Sequence, residues 1–322
     1  MSTLDVLDIA PLFAGAPAPD LDGEIARRFS TDAAVVVSGF SGSAGLEERV
    51  ARLWAFFAQP EPVRMALATR AQVPDNPNLY RGYTPPPVGK GWAYNEKFDV
   101  GPEPPLPAPD LPSHAAFTEP NVWPDEAEAP GWRAEMLGYI ADCKALSAVV
   151  IRSAARGLGV DPSGFDAICE SANSTLRLLH YPPVPDDFEL FDAGNPDLEP
   201  TADGKRVITR PHVDTGGLTI LWQDDSGGLQ MQGRDGGWRA VPTEDGVLSI
   251  HCGDMLAGIG GEALAPTPHR VLGGEGDRFS IGYFIEPEFM TDVTPPDGGP
   301  LKTYGQHLTD QFPKRFLPPE LQ

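Results

Sequence analysis

Residues 211–232 read PHVDTGGLTILWQDDSGGLQMQ, and this stretch decides the fold class. Leu218–Gln223 is a run of β-formers that follows Gly216 and Gly217, and Leu229–Gln232 is a second run beyond Asp, Ser and Gly. Short apolar runs cut by such residues are the pattern of paired strands, because glycine and aspartate supply the tight bends between them. Working outward, the same punctuation predicts strands at Leu176–Tyr181, Trp238–Pro242, Val247–His251, Met255–Ile259, His269–Val271 and Phe279–Ile285. Eight short strands at this spacing predict a sandwich or barrel, so the expected class is mainly β with flanking helices (α+β).

Before this block the periodicity is different. A short strand is expected at Leu4–Ile9, a helix at Leu21–Phe29 and an apolar strand at Ala33–Ser38. Leu46, Val50, Leu53 and Phe57 recur at helical spacing, which predicts an amphipathic helix over Gly45–Ala58 that stops before Pro60. Residues 71–130 are rich in proline and glycine and read as loop, and their aromatics Tyr80, Tyr83, Trp92, Tyr94 and Phe98 read as a pocket wall. Trp132 to Leu158 carries a broad apolar stripe and predicts a long helix closed by Gly157–Gly159. The tail Tyr304–Phe316 reads as helix. The expected organisation is an N-terminal helical and loop region over 1–130, backbone helices over 131–170, a catalytic core over 171–290 and a C-terminal helix over 291–322.

Composition narrows the function classes. The chain has 322 residues and a formal net charge of -22, a surface that repels phosphate backbones and anionic membranes. Neither nucleic acid nor membrane is expected as a partner. Cys143, Cys169 and Cys252 are odd in number and lack CxxC spacing, so no disulfide framework or zinc knuckle is indicated. With no basic-then-apolar leader and no long apolar run, a cytoplasmic protein with reduced thiols is expected, and no protein partner is implied. An anionic ligand would need a local basic group against this field.

The same stretch that decides the fold opens on His212-x-Asp214. On a strand, residues two apart project to one face, so the pair presents an imidazole and a carboxylate side by side. A second histidine from elsewhere would complete a two-His-one-carboxylate set with three open positions, the arrangement of non-haem iron(II) oxygenases. His-x-Asp alone is a weak signal in a chain with six histidines and 46 acidic residues. Its weight comes from the surroundings of His269 in ALAPTPHRVL, with Arg278 nine residues later in DRFSIGYF. An arginine fork matches a carboxylate, and Ser280 faces the same side of that strand, so the pair suits a dicarboxylate.

Taken together, HVDTGGLTILWQDDSGGLQM, GVLSIHCGDMLAGIGGEALAPTPHRV and RFSIGYFIEPEF resemble the core of isopenicillin N synthase-like 2-oxoglutarate/iron(II) oxygenases. The likeness extends to RGY (81–83), NVWP (121–124), LRLLHYPP (176–183) and YGQHL (304–308), and looks nearest to bacterial members related to the ethylene-forming enzyme. The resemblance implies a double-stranded β-helix, or jelly roll, with Fe(II) on His212, Asp214 and His269 and with O2 and 2-oxoglutarate as cosubstrates. It also implies that Arg278, Ser280 and Tyr181 hold the distal carboxylate and that Arg177 lies near cosubstrate or substrate. An ion pair with an acidic residue is the competing reading of Arg177. His251 is expected close to the metal-bearing strands, His180 in a structural role, and His114 and His307 on the surface. The implied activity is oxidation of a small molecule by hydroxylation, desaturation or ring formation, with release of succinate and CO2. An oxidase that dispenses with 2-oxoglutarate, a non-catalytic sensor on the same fold, ethylene formation and a metal hydrolase are the alternatives. The segment YTPPPVGKGWAYNEKF (83–98) departs from the acidic loop of the ethylene-forming enzyme.

Overall fold

A computed structural model describes residues 2–107, 115–169, 173–191, 194–195, 198–201, 204–257, 261–273, 276–293 and 301–311. In spatial order its larger sheet runs Val6–Asp8 (β1), Ala34–Ser38 (β2), Leu248–Cys252 (β12), Leu218–Gln223 (β9), Arg278–Phe284 (β14), Thr175–Tyr181 (β6), Glu96–Val100 (β5) and Gly82–Thr84 (β3). The smaller sheet runs Trp238–Ala240 (β11), Leu229–Gln232 (β10), His269–Gly273 (β13) and Arg206–His212 (β8). Among the described residues of these two sheets, only β1 and β2 pair in parallel. A third, two-stranded piece pairs Lys90–Gly91 (β4) with Glu189–Leu190 (β7). The helices are Pro19–Thr31 (α1), Leu46–Trp54 (α2), Glu61–Ala66 (α3), Ala115–Thr118 (α4), Trp132–Leu158 (α5), Asp166–Cys169 (α6) and Tyr304–Gln311 (α7).

Strand alternation builds three layers. On β2, Val35 and Val37 join one core cluster while Ala34 and Val36 join the other, as a period of two requires. The outer face of the larger sheet carries Leu176, Leu178, Ile220, Trp222, Ile250 and Ile281, packed with Ile25 and Phe29 of α1 and Met136, Leu146 and Val150 of α5. Its inner face supplies Tyr181 and Leu221, which meet Ile208, Leu229, Met231 and Val271 of the smaller sheet. Each fully buried side chain of this size contributes about 1.5–3 kcal/mol. This sandwich of antiparallel sheets is the jelly-roll core that the resemblance implies.

The long helix α5 ends where its glycine predicts. Gly159 sits at φ 71° and its N–H donates to the carbonyls of Ala155 and Arg156, a left-handed cap that a side chain would strain. Trp132 at the other end donates its indole N–H to the Leu53 carbonyl at 2.9 Å and ties α5 to α2.

Several expectations need correction. Met255–Ile259 is not a strand: residues 254–256 form turns, and 258–260 lie outside the described residues. The N–H groups of Asp254 and Met255 donate instead to the carbonyls of Asp214 and Gly216, at 3.0 Å each. Residues 71–130 are not simply loop, because β3 and β5 extend the larger sheet. Tyr83 and Phe98 are core residues, 3% and 0% exposed, rather than pocket wall. Trp92 is 60% exposed, with Arg210 4.3 Å above its ring. The helix read over Tyr304–Phe316 covers Tyr304–Gln311, and residues 312–316 lie outside the described residues, as does His114.

Candidate metal centre

β8 ends at His212, and β13 begins at His269 directly opposite, so one ladder pair places both imidazoles together with ring centroids 4.1 Å apart. Asp214 is not on that strand. It stands two residues beyond the end of β8, in the turn leading to Gly216 and Gly217. The turn is held from behind by the end of β12. Gly253 N–H donates to the Gly217 carbonyl at 2.6 Å, and the Asp254 carboxylate accepts from Gly216 N–H at 3.0 Å. A Cβ at Gly253 would overlap the Gly216 carbonyl oxygen, so only glycine allows this approach.

The ligand atoms of His212, Asp214 and His269 all lie within 4.8 Å of one another. Asp214 Oδ1 is 3.7 Å from Nε2 of each histidine. The tautomers follow from the other ring nitrogens. His212 Nδ1 lies 2.8 Å from the Arg210 carbonyl, and His269 Nδ1 lies 3.1 Å from the Thr267 carbonyl. Carbonyls only accept, so each Nδ1 carries the proton and each Nε2 turns a lone pair toward Asp214. Burial pushes the His212 imidazole down to about 4, helped by its neighbour His269, and burial lowers His269 as well. Burial opposes ionisation of Asp214, but His269, His251 and His212 outweigh it and hold the carboxyl far below the usual range. Two neutral imidazole donors and one carboxylate converging on one point fit a divalent iron.

The other expected residues share the inner face of the larger sheet. In the register of β6 against β14, Arg278 is opposite Tyr181, Ser280 opposite Leu179 and Gly282 opposite Arg177. Arg278 is 3% exposed, donates from Nε to the Gly227 carbonyl at 2.6 Å and from Nη2 to Gln223 at 3.2 Å, and lies 4.8 Å above the Tyr181 ring. Its Nη1 is buried with no protein partner among the described residues. Arg177 is paired with buried Asp99, at 2.6 and 3.3 Å, and donates to the Tyr80 hydroxyl at 3.1 Å. The acidic partner raised as the competing reading is therefore present, while the field of Asp214 also reaches this guanidinium. His180 faces the other side of the sheet, between Glu96, Asp277 and the ring of Phe279. His307 is not a surface residue: half-buried on α7, it lies 2.9 Å from Asp254 and braces the Asp214 turn through it.

Residues 172–287 match the 2OG-Fe(II) oxygenase superfamily. The isopenicillin N synthase of Flavobacterium is 30% identical over 309 residues, 90% of each chain. The chain belongs to the 2OG-Fe(II) oxygenase superfamily. Among other members, the 2-oxoglutarate-dependent dioxygenase htyE of Aspergillus rugulosus is 30% identical over 79% of this chain and 78% of its own. A superfamily protein from Caulobacter crescentus superposes with a TM-score of 0.74 at 25% identity, covering 97% of this chain and 99% of that one. A full-length Neurospora crassa protein, solved in complex with alpha-KG, shares the fold with a TM-score of 0.75 at 23% identity over 96% and 95% of the two chains. This member of the superfamily is thus an oxidoreductase carrying a His-Asp-His iron site. No helix among its described residues is long and apolar enough to cross a membrane.

Residues at the site that the sequence did not announce are Asp99, the partner of Arg177, Asp254, which holds the Asp214 turn, Thr219, whose hydroxyl donates to Asp214, and Glu286, whose carboxyl feels the charges of Arg177 and Asp214. Thr219 had a usable signal, since alternation along β9 places it on the face opposite Ile220. Asp99 lacked one, because its strand carries charges where an apolar alternation would be sought.

Proposed function

We propose that this oxygenase couples oxidative decarboxylation of 2-oxoglutarate to hydroxylation of a small molecule. The overall change takes the organic substrate, O2 and 2-oxoglutarate to the hydroxylated product, succinate and CO2. The observation that carries the reading is Arg278. It is a buried cation whose Nη1 has no hydrogen-bond partner and which forms no ion pair with a carboxylate among the described residues, although the charge of Asp224 reaches it from farther off. Burying a charge without a counter-ion costs several kcal/mol, so such a residue favours an anion supplied from outside.

His212, Asp214 and His269 would hold the iron, which supplies the open positions where O2 and the keto acid are brought together. The chain's own contribution is position and exclusion. Arg278 grips the far carboxylate of the diacid, with Ser280 on the same face and the Tyr181 ring beneath the guanidinium. Arg177, held rigid by Asp99 and Tyr80, places a second cation on the same face, toward the substrate side. The apolar inner face formed by Ile208, Leu221, Leu229 and Val271 limits water around the site.

One observation favours a second reading. Isopenicillin N synthases are among the relatives at 30% identity over nine-tenths of the chain, and an oxidase could use Arg278 for its substrate's own carboxylate. The test is a substrate screen with Fe(II) and 2-oxoglutarate, recording succinate and O2 together. Succinate formed in step with O2 uptake supports the proposal. O2 uptake with substrate oxidation but no succinate refutes it in favour of the oxidase.

A further inference from the structure

The two oxygens of Asp214 have different surroundings. Oδ1 faces Nε2 of His212 and His269, 3.7 Å from each. Oδ2 accepts a hydrogen bond from the Thr219 hydroxyl at 2.5 Å and lies 3.0 Å from His251 Nε2. A carboxylate has no proton to offer, so the proton in the second contact belongs to His251 Nε2. His251 Nδ1 is buried with no partner among the described residues, so no contact on that side competes for the tautomer. His251 and Thr219 stand directly opposite each other on β12 and β9, which is why both reach one oxygen. They are 0% and 1% exposed, so solvent cannot replace either donor.

We propose that His251 and Thr219 are positioning residues that keep Asp214 a one-oxygen ligand. With Oδ2 saturated from behind, Oδ1 alone is available to the iron. The consequence is a count of coordination positions. A six-coordinate ion with three single-atom ligands keeps three places, whereas a carboxylate binding through both oxygens would leave two. A chelating keto acid needs two places and O2 a third. Two buried donors on one side of the carboxylate therefore reserve the place for O2. The inference rests on the metal assignment and the cosubstrate reading above, but it concerns residues outside the ligand set.

The test uses the purified full chain, stripped of metal and titrated anaerobically with Fe(II), in four forms: wild type, His251→Leu, His251→Gln and Thr219→Val. Loss of an outer hydrogen bond to a ligand weakens metal binding by about 10–100-fold. His251→Leu and Thr219→Val are each expected in that range. His251→Gln, whose amide N–H can reach the same oxygen, is expected within about threefold of wild type. At saturating iron, the visible charge-transfer band with 2-oxoglutarate should form in all four forms, since two places remain for the keto acid, but its loss on admitting O2 should slow in the Leu and Val variants and not in the Gln variant. Far-UV circular dichroism checks folding, and Thr219→Val decides the matter should His251→Leu not fold. Unchanged iron affinity in both apolar variants overturns the proposal, as does a Gln variant as impaired as the Leu variant. A wild-type chain that binds no iron would instead defeat the metal assignment. Wild-type iron binding without a band would count against 2-oxoglutarate alone, leaving the iron affinities to decide.

Discussion

Replacing Arg278 separates a cosubstrate anchor from a structural arginine. Its Nε and Nη2 are engaged by the Gly227 carbonyl and Gln223, which fix the plane of the guanidinium, while Nη1 is left over. A carboxylate docking on this edge would gain about two charge-assisted hydrogen bonds at roughly 1.5–3 kcal/mol each. Arg278→Gln keeps the capacity for one neutral bond, so the net loss is about 3 kcal/mol. At ~1.4 kcal/mol per tenfold, the KM for 2-oxoglutarate rises about two orders of magnitude. Arg278→Lys keeps the charge without the fork and is expected to lose about tenfold. Thermal unfolding offers a readout free of turnover. At a ligand concentration of about 100 times the wild-type Kd, binding stabilises the wild type by about 2.7 kcal/mol. The same concentration stabilises the Gln variant by only about 0.4 kcal/mol, so the rise in Tm on adding 2-oxoglutarate and a redox-inert divalent metal should nearly vanish. An Arg278→Gln variant with unchanged KM and an undiminished rise in Tm would refute the reasoning and move the anchor elsewhere.

Asp214→Ala removes the single carboxylate of the metal set, and iron-dependent turnover should fall below detection; retained turnover would remove Asp214 as a ligand. Asp99→Asn strands the half-buried Arg177 guanidinium without its counter-ion, and a loss of about 3 kcal/mol in urea unfolding is expected. A loss below about 1 kcal/mol would mean that Arg177 finds another partner. Glu286 is raised to about 7, chiefly by burial against the opposing pull of Tyr304, Arg81 and Arg177. Its folded-state value lies above its unfolded one, so the folded chain holds the proton more tightly and stability falls as pH rises through this window. The full penalty, about 3 kcal/mol at most, is in place above that pH. The stability advantage of Glu286→Gln should therefore grow from about pH 5 to about pH 8, and a flat difference would show that Glu286 is ionised throughout.

What could be read in advance divides along a physical line. His212, Asp214, His269, Arg278 and Ser280 stood out because few residue types bind metal or grip a carboxylate, and because they fall within short motifs. The strands β9 and β10 and the helix α5 were legible because each buries an uncharged face with a simple period. The strand β5 was not, although it lies inside the larger sheet. Its sequence is EKFDV, and the residues it buries include Glu96 and Asp99. Those carboxylates are tolerated only because Arg64, Tyr83 and His180 meet Glu96 and Arg177 meets Asp99. All of these partners come from other strands or helices, so no local pattern announces them.

The placement of Asp214 carries the same lesson to the centre of the site. Strand alternation predicted its position beside His212 for a reason that does not operate, since the strand ends at His212. What brings the carboxylate inward is a set of distant contacts: Thr219 and His251 on its far oxygen, Asp254 N–H on its own carbonyl, and Gly253 giving the turn room to approach. A motif of two residues thus specifies the ligands, but residues up to 40 positions away specify how they are presented. Grafting His-x-Asp and a distant histidine onto another sandwich would reproduce the donor types alone. Without hydrogen bonds to Oδ2 the carboxylate would be free to rotate, and the ion would lose the asymmetry that keeps a position open.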